Sequence, residues 1–137
     1  MSAKRPSKRE LQALLQRARF VRDYGMRLHA VSDAECTIAM PFRKSLERPG
    51  GTVNGPAFMA AADCAMWLAV KRHIGIEHDA VTSELNTAFL NAARRQTVYC
   101  TARVLKTGKR ILYGTAECHD GKGKLFTHHT VTYARVS

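Results

Sequence analysis

The spacing of apolar residues changes character along this chain, and each change marks an element. Leu11, Leu14, Leu15, Ala18 and Val21 recur at helical intervals behind a polar, basic stretch over Met1 to Lys8 that is expected to fray, which predicts a short amphipathic helix with a basic outer face. Tyr24 to Val31 and Glu35 to Met40 alternate loosely around the turn-forming pair Ser32-Asp33, a candidate hairpin closed by Pro41. Phe42 to Val53 is polar and rich in turn residues. The pattern then becomes apolar on nearly every side from Asn54 to Gly75. Asn54 can cap a helix, Pro56 presets the first turn, Lys71, Arg72 and His73 suit the C-terminal end of the dipole, and Gly75 can stop it. Ala57, Ala61, Ala65 and Ala69 fall in one row, which permits close approach of another backbone.

Beyond Gly75 the period shortens. Val81 to Leu90, Thr97 to Leu105, Arg110 to Cys118 and Lys124 to Tyr133 read as strands; Thr107-Gly108-Lys109 and Asp120-Gly121-Lys122-Gly123 supply hairpin signals between the last three. A short helix, two strands, one long buried helix and four strands describe an α+β domain with an antiparallel sheet around a helix. We divide the chain into a basic tail and short helix over residues 1–23 and the main domain over residues 24–137, one domain overall. At 137 residues the chain can bury a core without staples.

Composition narrows the setting. Cys36, Cys64, Cys100 and Cys118 show no metal-ligand spacing and no C-x-x-C pair, which suggests free thiols in a reducing compartment and no metal. The basic N-terminus holds no apolar signal segment, so a cytoplasmic location is expected, and the long helix is too short in its apolar run, and interrupted by a carboxylate, to span a bilayer. The formal net charge of +11 attracts anions. Without an aromatic RNA-binding signature, zinc-finger spacing or basic zipper, charge alone is a weak argument for nucleic acid.

One carboxylate, Asp63, sits at the centre of the apolar helix. Stripped of water, it needs donors or a cation. It is either a catalytic group in a cleft or a structural residue bonded to a neighbouring segment, and composition favours the second.

The order of parts, entered through Gly51-Thr-Val-Asn-Gly-Pro56 with an acid at Asp63, resembles hotdog-fold acyl-CoA thioesterases of the phenylacetyl-CoA type, in which the helix entry reads G-x-x-H-G-G. Asn54 stands where that family commonly has His, Gly55 matches the first Gly, Pro56 replaces the second and Asp63 matches the acid. Val81 to Asn86 resembles the strand that carries a Ser or Thr at the site, here Thr82. The resemblance spans Tyr24 to Tyr133. It implies a curved sheet wrapped around the helix, a homodimer or homotetramer with sites shared between subunits, and thioester hydrolysis with no cofactor beyond the coenzyme A of the substrate. Asp63 would be general base or nucleophile, the Gly55 N–H an oxyanion donor, Asn54 an orienting group, and Thr82 a water-positioning group across the interface, with Asp63 held by donors of the opposite subunit. Pro56 offers no N–H and Asn54 no titrating group. Met59, Met66, Trp67 and Phe89 are candidates for an acyl channel, and Arg94, Arg95, Lys106, Lys109 and Arg110 for a basic rim facing the phosphates of an acyl-CoA or an acidic acyl-carrier protein; core packing and solvated loops are the plainer roles of these two groups. A catalytically silent acyl-CoA-binding hotdog protein and a basic nucleic-acid-binding protein remain as alternatives.

Overall fold

The computed structural model describes residues 5–136. The expected tail over Met1 to Lys8 lies outside the described residues as far as residue 4, and from there the chain is held: Pro6 is buried, and Ser7 caps α1 (Lys8–Arg17) in a reciprocal capping box with Glu10. The predicted first helix is divided. At Ala18 the backbone turns extended (ψ 112°), ending α1 and starting α2 (Arg19–Tyr24), so Tyr24 belongs to a helix rather than to the first strand. Gly25, at φ 70°, takes the left-handed conformation that ends α2, and the Arg43 guanidinium lies where a side chain at 25 would go. Arg43 uses that position to donate to the carbonyls of Arg22 and Asp23, both at 3.1 Å, satisfying orphan groups of the helix end.

β1 (Arg27–Val31) and β2 (Glu35–Met40) form the expected hairpin. Its turn is fixed by the Ser32 hydroxyl, which accepts from the amides of Ala34 and Glu35. A single helical turn at Lys44–Leu46 and a two-residue ladder of β3 (Glu47–Arg48) and β4 (Thr52–Val53) lead into α3 (Gly55–Ile74), whose cap residues Asn54 and Gly75 are the ones the sequence marks. β5 (Asp79–Phe89), β6 (Val98–Thr107), β7 (Ile111–His119) and β8 (Leu125–Val136) complete a six-stranded antiparallel sheet in the order β1-β2-β6-β7-β8-β5. The curved sheet wraps around α3, a hotdog fold.

The fit between helix and sheet depends on small residues. Ala57, Ala61, Ala65 and Ala69 are all buried. On β7, a Cβ at Gly114 would stand 2.1 Å from the Arg103 carbonyl oxygen and 2.7 Å from Met66 Cε, so only glycine lets the strand and helix come together there. Leu11, Leu15 and Val21 belong to the same core as α3 and the strands, so the N-terminal helices pack as a layer of the domain. β5 lies at one end of the sheet and exposes most of its length.

Candidate active site

α3 positions two groups by its own regularity. Asn54 accepts from the Ala57 amide at 2.9 Å through its side-chain oxygen, while its side-chain amide donates to the Leu46 carbonyl at 2.9 Å. It caps the helix and ties the preceding loop, and it faces a recess with Asp23, Tyr24, Ser45 and Leu46 rather than one beside Gly55. The Gly55 N–H, at the first helical position, has no acceptor among the described residues, and the helix dipole makes that position attractive to negative charge. Val53, Gly55, Phe58, Phe89, Leu90, Asn91 and Ala92 line a recess of about 310 Å³ here. The Phe89 ring packs edge-on to Phe58 and lies 3.4 Å from where a Gly55 Cβ would be.

Further along the same helix, Asp63 is half-buried in a second recess of about 310 Å³ with Ala18, Phe20, Cys64, Trp67, Val81, Thr82 and Tyr133. Its Oδ1 accepts from the Thr82 hydroxyl at 2.6 Å and from the Tyr133 phenol at 2.7 Å. The phenol also lies 3.0 Å from the Asp63 main-chain oxygen. Oδ2 accepts from no described residue. These donors come from the same chain: β5 pairs with β8 so that Thr82 stands opposite Tyr133, directly beside the helix. Thr82 thus reaches Asp63 within its own chain. Burial, reinforced by the Asp63 charge, pushes the Tyr133 phenol well above its ordinary range, keeping it a donor. Burial likewise pushes the neighbouring Cys64 thiol up to about 12, with the Asp63 charge adding to the effect. A thiol so protonated is no nucleophile.

The other sequence-derived candidates separate. Trp67 lines the Asp63 recess and Phe89 the Gly55 recess. Met66 is buried against Gly114 in the core, and Met59 is exposed and lines neither recess. The basic residues divide between opposite ends of β5. Arg94 and Arg95 follow it near the Gly55 recess, with Arg95 paired to Glu47 at 2.7 Å. Lys109 and Arg110 border a recess with His78, Asp79 and Arg135 near the start of β5; Lys106 is exposed on β6. Sequence reasoning missed Tyr133, Ala18 and Phe20. Tyr133 carried no local signal beyond its place in a strand, since the register that sets it opposite Thr82 is a long-range property.

Among the described residues, no group of three or more His, Cys, Asp or Glu side chains is placed to hold a metal, and no helix is long and apolar enough to cross a membrane.

A sequence model of the thioesterase superfamily matches residues 50–127, which include both Gly55 and Asp63. An inferred esterase of Thermoplasma volcanium is 32% identical over 75% of this chain and 77% of its own length. Among solved structures, an inferred thioesterase from a Silicibacter species is 27% identical, with a TM-score of 0.86 over 96% of this chain and 92% of that one. A Haemophilus influenzae thioesterase is similar in fold, with a TM-score of 0.89 at 19% identity over 99% of this chain and 94% of that one.

Proposed function

We propose, for a chain that belongs to the thioesterase superfamily and is a thioester hydrolase, that the substrate is an acyl-CoA and that Asp63 and Gly55 perform the chemistry across a dimer. The carrying observation is the state of Asp63: one oxygen fixed by two hydroxyl donors, the other open to a recess. Oδ2 takes a proton from a water as its oxygen attacks the thioester carbon. The oxyanion that forms needs an N–H within about 3 Å, and the Gly55 amide is open to supply it. Collapse of the tetrahedral intermediate breaks the C–S bond, and the proton on Asp63 passes to the departing thiolate. Direct attack by Oδ2, giving an acyl-aspartyl anhydride, is the competing route; label found in Asp63 after a single turnover in ¹⁸O-water identifies it, with water adding to the Asp63 carboxyl carbon.

Gly55 and Asp63 are separated along their helix by about 12 Å, at 1.5 Å per residue. They cannot act on one carbonyl within one chain. β5 offers the remedy, because it ends the sheet with an unpaired edge over 11 residues. Antiparallel pairing of two copies about an axis between Leu85 and Asn86 sets Thr82 of each opposite the other's Phe89. Since Thr82 bonds Asp63 and Phe89 packs on Gly55, Gly55 of one copy then faces Asp63 of the partner subunit. The same pairing gathers Arg94 and Arg95 of one copy and the other's Lys109 and Arg110 toward one mouth, a basic rim suited to a nucleotide phosphate. Four buried free thiols fit a cytoplasmic setting.

The test is hydrolysis of an acyl-CoA panel by the parent and by Asp63→Asn. Asn keeps the size and can still meet both hydroxyls, so the fold should persist while kcat falls about 10²- to 10⁴-fold. Unchanged kcat in the folded variant refutes the role of Asp63. Binding of acyl-CoA by the parent without turnover would make it a silent binding domain instead.

A further inference from the structure

The recess beside Asp63 is polar at one wall and apolar at the other. Asp63, Thr82 and Tyr133 form the first wall; Phe20, Trp67 and Val81 form most of the second. Phe20 belongs to a part of the chain that lies before the segment matched by the superfamily, residues 50–127. Its ring is 49% exposed, and Val81 across the recess is 52% exposed. Leaving such side chains partly wet forgoes burial free energy that an apolar occupant of the recess would recover.

Phe20 is also held in place. Val21 beside it is buried in the core, and Arg43 clamps the end of α2. The segment leading into α1 is fastened to α3 by Arg72, which donates to the Pro6 carbonyl at 2.5 Å and to Asp33 Oδ1 at 2.6 Å. Arg72 holds the Asp33 carboxyl below its usual range, and Arg5 lies 3.5 Å from the same oxygen. Lys8 donates to the His29 carbonyl, and the Gln12 side chain accepts from the Leu28 amide. A wall built this way has a fixed position.

We propose that Phe20 is a specificity-determining residue: it ends the acyl pocket that runs from Asp63 past Trp67, and so sets the length of acyl chain the protein accepts. This inference rests on the acyl-thioester reading above. The pocket takes compact apolar acyl groups. No Lys or Arg lines it, so an acyl group bearing its own carboxylate meets the Asp63 charge without compensation and is rejected.

Trp67 is the only tryptophan of the chain and lines this recess, so its fluorescence reports occupancy without any need for turnover. The probes are non-hydrolysable thioether analogues of CoA carrying hexyl, decyl and hexadecyl chains, titrated against the full chain. The parent should bind the hexyl and decyl compounds with a change in Trp67 emission and should disfavour hexadecyl. Phe20→Ala should improve hexadecyl relative to decyl affinity by about tenfold, the scale set by apolar pocket contacts. Phe20→Trp, titrated by calorimetry because it adds a second indole to the recess, should move the preference toward hexyl. Phe20→Leu, which keeps an apolar side chain on α2, replaces the alanine variant if circular dichroism shows that one to be unfolded, and should shift the ratio in the same direction to a smaller extent. Thioethers that leave Trp67 unchanged, or a chain-length ratio identical in folded variants and parent, overturn the proposal. If the ratio shifts as expected but no matching thioester is hydrolysed, the hydrolase reading fails and the pocket stands. If hydrolysis depends on Asp63 while the ratio ignores Phe20, only the present inference falls.

Discussion

Tyr133 grips Asp63 at two points, its phenol oxygen lying 2.7 Å from the carboxylate Oδ1 and 3.0 Å from the main-chain oxygen of the same residue. The last strand thereby fixes both the backbone and the side chain of the helix residue proposed to do the chemistry. Thr82 adds a second donor to Oδ1, so rotation of the carboxylate would break two hydrogen bonds to a charged group.

Tyr133→Phe removes one of these donors with little change in shape. Hydrogen bonds to charged groups contribute about 1.5–3 kcal/mol, so the variant should unfold more easily by that order in a denaturant titration. Freed to rotate, Asp63 should also lose alignment with the attacking water. A drop in kcat of about tenfold, with KM nearly unchanged, is the expected kinetic signature; equal rates in the two proteins would mean that the phenol only supports packing.

The raised titration of Tyr133 has a sign that can be read from stability. Below pH 10, the ordinary tyrosine value, folded and unfolded chains both keep the proton and Tyr133 adds no pH dependence. Above it the unfolded chain releases the proton and the folded chain does not, so the free energy of unfolding should fall as pH rises. Thermal melts between pH 9 and pH 11, intervals of about one unit around that value, should show this fall in the parent. Tyr133→Phe should make the fall shallower, the remainder coming from the Cys36, Cys64 and Cys100 thiols that burial also pushes up; an equally steep fall in the variant would assign the whole effect to those other groups.

Thiol reagents should leave activity intact even though Cys64 adjoins Asp63. All four cysteines are buried; burial pushes the Cys36, Cys64 and Cys100 thiols up, while hydrogen bonds with Cys100, His129 and Thr127 hold the Cys118 thiol below its ordinary range, so at Cys118 it is burial alone that keeps a reagent out. Titration of the native protein with a chromogenic disulfide should release no colour on the timescale of the assay, and denaturant should expose all four groups. Rapid inactivation of the native enzyme would contradict this packing.

Gly114→Ala tests the contact between sheet and helix independently of chemistry. Its Cβ must displace the Arg103 carbonyl or Met66, and overpacking of this kind costs about 1–3 kcal/mol. The melting temperature should fall, whereas the same change at Gly51, with nothing near its Cβ position, should act only through its backbone φ of 82°.

Local signals in the sequence located most of the fold. Asn54 and Gly75 mark the ends of the long helix because capping is a property of a few adjacent residues, and Ser32-Asp33 or Asp120-Gly121 mark turns for the same reason. The break at Ala18 was not legible: apolar spacing continues across it from Leu15 to Val21, while the backbone at Ala18 turns extended. Asp63 could be singled out as a carboxylate in an apolar run. Thr82 was reached only through the resemblance and Tyr133 not at all, since the two meet through the register of β5 on β8, strands far apart in the chain, and Phe20 reaches the recess only through the placement of α2.

The spacing of Gly55 and Asp63 on one helix carries a genetic consequence. On the proposed arrangement each helix lends its beginning to one centre and its middle to the other. A chain obstructed at Gly55 and a chain carrying Asp63→Asn would each be inactive alone. Mixed in one cell, they would assemble hybrids in which both lesions fall in the same centre, leaving the second centre with an unaltered glycine and an unaltered aspartate. Two inactive alleles would then complement each other, and recovered activity on co-expression would report the shared architecture without any structure being solved.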